Sequence, residues 1–138
     1  MSATANSQMT NVHEITVPKA WGHEVWLVNT ELYCLKELHI TPGWQCSLHR
    51  HRIKDETFIV QSGHVEIELG SRHWQANPGE TIHVPPLTWH RFASHPGAML
   101  LEVSTHHSDA DVERREESQR CCRAASGELV SVDAGQAE

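Results

Sequence analysis

Short segments rich in β-branched and aromatic residues follow one another from about Val12 to Thr105, and each is closed by a turn signal. No helical period competes with them over this stretch, so the chain is confined to an all-β sandwich or barrel. The predicted strands are 15–17, 24–28, 33–40, 45–51, 57–61, 64–69, 73–75, 81–84, 89–93 and 99–105. Thr41-Pro42-Gly43, Ser62-Gly63, Gly70-Ser71, Asn77-Pro78-Gly79 and Pro85-Pro86 supply the turns between them. In 64–69 the apolar Val65, Ile67 and Leu69 alternate with His64, Glu66 and Glu68, the pattern of a wall with one buried and one wet face.

The composition changes after Thr105. Ser108 is placed to cap a short surface helix over 109–120, supported by opposite charges four apart at Asp111/Arg115 and Glu116/Arg120. A chain of 138 residues is long enough to bury one core, and the reading is a single domain over 12–120. Disordered tails are expected at 1–11 and 121–138, where the sequence is polar and without period.

A net charge of −7 and the absence of a Lys/Arg run argue against nucleic acid and against an anionic membrane surface as partners. Neither a secretory leader nor a membrane span is legible, so a cytoplasmic location is expected. Cys34, Cys46, Cys121 and Cys122 form no CxxC pair and no disulfide framework, and are read as reduced structural residues.

Twelve histidines are the unusual number, because neutral imidazole is the commonest side-chain ligand of transition metals. Alternate residues of a strand point the same way, so His49 and His51 can share one ion while Arg50 faces away. Glu56 opens the next strand, where an antiparallel return brings its carboxylate beside them. His90, delivered by the Pro85-Pro86 turn, is the best candidate for a fourth ligand. Three imidazoles and one carboxylate leave positions open on one divalent ion, with zinc, manganese, iron, nickel and cobalt all compatible.

Gly43, His49, His51, Glu56 and Gly63 match the first cupin motif, G-x5-H-x-H-x4-E-x6-G, at every spacing. Gly79, Pro85 and His90 resemble the second, G-x5-P-x-G-x2-H-x3-N, with Leu87 in place of its second glycine and Ser94 in place of its asparagine. The resemblance implies a cupin-type double-stranded β-barrel, or jelly roll, with the metal inside. Lys19-Ala20-Trp21-Gly22, Lys36, the stretch Ser47–Gly63, His90-Arg91-Phe92 and Leu101-Glu102-Val103 are similar to the C-terminal cupin domain of bifunctional mannose-6-phosphate isomerases. Asp111-Val112-Glu113-Arg114 resembles the acidic-then-arginine segment that ends that domain. His49 and Ala20 depart from residues common there, as does the missing terminal Tyr-Gly.

The resemblance implies a small-molecule substrate, a sugar or sugar phosphate, and an aldose–ketose isomerase or epimerase that pairs as a homodimer. It assigns Lys36 to substrate oxygens and Arg91 and Arg114 to a phosphate. Glu102 and His83 are the candidate bases for moving a proton between adjacent carbons. Trp89, beside a ligand, is the aromatic residue expected at the pocket mouth. Two other functions share the same ligand set: a non-haem iron dioxygenase, and a metal-containing sugar-binding module without turnover.

Overall fold

A computed structural model describes residues 14–123 and 129–131. The expected tail at 1–11 lies outside the described residues, as does the expected C-terminal tail apart from 121–123 and 129–131. The described residues form fourteen strands: β1 (Ile15–Lys19), β2 (Gly22–Asn29), β3 (Cys34–Ile40), β4 (Trp44–Gln45), β5 (Leu48–Arg50), β6 (Glu56–Gly63) and β7 (Val65–Leu69), followed by β8 (Arg72–Ala76), β9 (Thr81–Val84), β10 (His90–Ser94), β11 (Ala98–Ser104), β12 (Glu113–Glu116), β13 (Gln119–Arg123) and β14 (Leu129–Ser131). One sheet has the order β1-β2-β3-β11-β6-β9. The other runs β12-β5-β10-β4-β13-β14, with β7 on β10 and β8 on β7. Every pairing is antiparallel. No helix among the described residues is long and apolar enough to cross a membrane.

The inward rows explain how one small barrel has both a core and a polar chamber. On β3, Cys34, Lys36, Leu38 and Ile40 are buried while Leu35, Glu37 and His39 are half-buried on the outer face. Leu38, Phe58, Phe92 and Leu100 belong to one hydrophobic cluster with Trp21, Ile40, Val60 and Val65. Two residues along the same strands, toward one end of the barrel, stand Lys36, Glu56, His90 and Glu102, all buried. The two-residue period of a strand thus places apolar and ionisable side chains in successive layers. Gly63 closes β6 with φ of 80°, and a Cβ there would run into the carbonyl oxygen of Gly97, so the turn into β7 admits no side chain.

The helix expected over 109–120 does not form. Glu113–Glu116 pairs with β5, setting Glu113 opposite Arg50 and Arg114 opposite His49, and Gln119 and Arg120 pair with Gln45 and Trp44 of β4. The charge pairs that favoured a helix would be worth only about 0.2–0.5 kcal/mol each. β5 and β4 offer open ladder edges whose backbone groups β12 and β13 satisfy, and that tertiary pairing prevails. The charges find other partners: Asp111 accepts from the amides of Arg52 and Lys54, and Glu116 accepts from Arg91. Strand β13 runs past Arg120, and residues 121–123 pair with 129–131.

Candidate metal centre

His49 lies on β5, directly opposite His90 at the start of β10. His51 stands just beyond the end of β5, and Glu56 begins β6. Each imidazole is oriented by a backbone carbonyl: His49 Nδ1 is 2.8 Å from Ser47 O, His51 Nδ1 is 2.6 Å from Asp111 O, and His90 Nδ1 is 2.9 Å from Thr88 O. A carbonyl only accepts, so each Nδ1 carries a proton, and in the neutral ring Nε2 is then the nitrogen left to present a lone pair. Candidate ligand atoms of the three rings lie within 4.8 Å of one another.

Glu56 Oε2 stands 3.3 Å from His51 Nε2 and 3.1 Å from His90 Nε2. Glu56 Oε2 and His90 Nε2 are buried and have no hydrogen-bond partner among the described residues. Two such unpartnered atoms facing each other are placed to share a bound cation. Burial acts to raise the Glu56 carboxyl, but the imidazoles of His51 and His90 and the Lys54 ammonium outweigh it and hold the group well below the usual carboxylate range. Burial, followed by repulsion from His90, pushes His49 down to about 3. A neutral His49 imidazole and an ionised Glu56 carboxylate therefore stand together, the protonation states in which each can bind a divalent transition metal. The donor set fits such an ion, and His49, His51, Glu56 and His90 are the residues that would hold it.

A cavity of about 480 Å³ opens beside the cluster. Lys36 and Glu102, both expected to face substrate, line it. Lys36 Nζ is 3.4 Å from Glu24 Oε1 and lies 4.4 Å from the centroid of the Trp26 ring. Glu102 Oε2 is 2.8 Å from Lys54 Nζ. Arg114 also lines the cavity, and it has no ion pair among the described residues. Cys46 contributes to the wall, but burial pushes its thiol up to about 12, so it stays protonated.

Arg91 is not brought into this site. It follows His90 on β10 and so points to the opposite face, where its guanidinium lies 2.9 Å from Glu116 and 3.5 Å from Glu68. His83 is exposed on the outside, 2.7 Å from Asp55, and is remote from a base's position in the cavity. Trp89 is likewise outside, between Arg50 at 4.8 Å and Arg115 at 4.1 Å from its ring centroid. Trp21 and Trp26 form the aromatic wall instead.

Lys54 and His107 are among the cavity residues that escaped the sequence reading. Lys54, 3% exposed, extends its ammonium to Glu102, to Glu56 Oε1 at 3.5 Å and to His107 Nδ1 at 3.1 Å. The only signal for Lys54 was its nearness to Glu56 in the sequence, since it lies in the irregular connection before β6. His107 had no such signal: it reaches the cavity from an irregular segment, where its Nε2 lies 2.8 Å from Asp109 Oδ1. Burial and the charges of Lys54 and Lys36 push it down to about 4.

The cupin domain family matches residues 36–104. Among characterised proteins, the chain is 27% identical over 97 residues to a mannose-1-phosphate guanylyltransferase of Sinorhizobium fredii, covering 70% of this chain and 19% of that protein. It is 34% identical over 110 residues to a D-lyxose/D-mannose isomerase of Thermosediminibacter oceani, covering 59% of this chain and 61% of that one. The chain thus spans less than two thirds of either relative. An RmlC-like cupin from Shewanella frigidimarina superposes with a TM-score of 0.65 at 15% identity, over 72% of this chain and 90% of that one. Half of this sequence lies within the matched family, and its two sheets close around the histidine cluster in the same double-stranded fold: the chain belongs to the cupin family.

Proposed function

We propose that this cupin is a metal-dependent isomerase or epimerase acting on a sugar or sugar phosphate. The observation that carries the reading is the juxtaposition of two kinds of group in one cavity: three imidazoles with Glu56, and beside them the charge-paired carboxylate of Glu102. A divalent ion held there by His49, His51, Glu56 and His90 would supply Lewis acidity to a sugar carbonyl.

The chain's own residues supply the rest. Glu102 is the base: its carboxylate takes the proton from the carbon next to the carbonyl, exchanges it with solvent and delivers a proton to the carbonyl carbon, while the proton of the adjacent hydroxyl passes to the carbonyl oxygen, so that no atom is gained or lost. Lys54 holds that carboxylate in place, and Lys36 hydrogen-bonds hydroxyl or carbonyl oxygens of the sugar. Trp21 and Trp26 give an apolar wall for a sugar ring, and Arg114 offers an unpaired cation to a phosphate group. The similarity to a D-lyxose/D-mannose isomerase supports the same class of reaction.

The test is proton NMR in deuterium oxide with D-mannose, D-lyxose and their phosphate esters, under air and without oxygen. Deuterium entering the carbon beside the carbonyl, at equal rates in both atmospheres and about 10²–10⁴-fold more slowly in Glu102→Gln, is the expected result. No incorporation into any of them would remove the isomerase reading and leave a binding module. Turnover only under air would replace it with an oxygenase.

A further inference from the structure

The connection that carries His51 and leads to Glu56 lies between β5 and β6, and its middle is open to solvent. Ile53 is 78% exposed and the Arg52 side chain 71%. Residues 51–55 belong to no strand, so no ladder holds them. The amide of Asp55 donates to Thr105 Oγ1 at 3.1 Å, whereas the amides of Arg52, Ile53 and Lys54 all turn toward one side chain. The Asp111 carboxylate accepts from Arg52 N–H through Oδ1 at 2.8 Å and from Lys54 N–H through Oδ2 at 2.9 Å, and both of its oxygens stand 3.3 Å from the amide of Ile53. The carbonyl of the same residue accepts from His51 Nδ1–H at 2.6 Å. One aspartate, sixty residues away along the chain, thus sets the tautomer and direction of one imidazole and fixes the segment between it and Glu56.

We propose that Asp111 is a positioning residue for the metal centre, and that the C-terminal segment it belongs to is thereby a structural part of that centre. The inference rests on the metal-binding reading and adds a dependence that the ligand set alone does not contain. Because three amides converge on the carboxylate, its loss frees the connection while the barrel ladders on either side of it stay intact. Glu113 makes a useful comparison: it lies on the same segment, pairs with Arg50 and Arg52 on the surface, and reaches neither His51 nor the amides of 52–54.

The experiment compares the full-length parent with Asp111→Ala, Asp111→Asn and Glu113→Gln, using zinc ion alone as the probe. Zinc affinity is measured by competition with a chromophoric chelator near neutral pH, and amide hydrogen exchange of 52–54 is followed in zinc-free protein. The expected result is a weakening of zinc binding by about 10–100-fold in Asp111→Ala, with a smaller loss in Asp111→Asn. Exchange at 52–54 rises in both, and Glu113→Gln matches the parent in both measurements. Parental zinc affinity in folded Asp111→Ala would overturn the inference while leaving the metal reading intact. If that variant does not fold, Asp111→Asn decides: parental affinity together with parental protection at 52–54 overturns the inference. A parent that takes up no stoichiometric zinc would overturn both.

Discussion

The ammonium of Lys54 lies 2.8 Å from Glu102 Oε2, and both side chains are almost fully buried. Burial works against this charge, but Glu102 and then Glu56 outweigh it and push Lys54 up to about 12. Removing one partner of such a pair leaves an uncompensated charge in the interior, a cost of about 3–5 kcal/mol. Lys54→Met therefore lowers stability in urea by several kcal/mol, whereas Lys54→Met combined with Glu102→Leu recovers part of the loss. A single variant as stable as the parent would show that the pair contributes little.

His107 gives the pH dependence a definite sign. Its pKa falls from 6.5 to about 4 in the fold, because burial and then Lys54 and Lys36 oppose its protonation. The unfolded chain binds this proton first as pH falls, so His107 costs stability progressively between 6.5 and about 4 and nothing more below that. His107→Gln should flatten that part of the stability curve relative to the parent. Unchanged slopes in acid denaturation of the two proteins would contradict the assignment.

Leu87 has a φ of 62°, a left-handed conformation that its side chain disfavours, and its amide is held by His51 O at 2.7 Å. At 56% exposure the side chain contributes little packing. Leu87→Gly is expected to raise stability by up to about 1 kcal/mol, the strain relieved exceeding the added freedom of the unfolded chain. Thermal denaturation checks this, and a lower midpoint would mean that the leucine side chain matters more than its backbone.

The clustering of His49, His51, Glu56 and His90 was legible because strand parity and motif spacing act over short distances. The same parity, applied one residue further, sends Arg91 away from the cavity, which a residue-by-residue resemblance did not reveal. The failed helix had the opposite cause. Local propensity over 109–120 is consistent with a helix, and only the open edges of β5 and β4, distant in sequence, turn the segment into strands. The role of Asp111 was hidden for the same reason, since nothing near it in the chain identifies the amides of 52–54 as its partners.

The most direct test of the central claim is the metal content of protein purified without chelator. About one equivalent of a divalent transition metal per chain is predicted for the parent, and almost none when His49, His51 and His90 are all replaced by alanine. Equal, tightly held metal in the two proteins would contradict the convergence of these side chains on one ion.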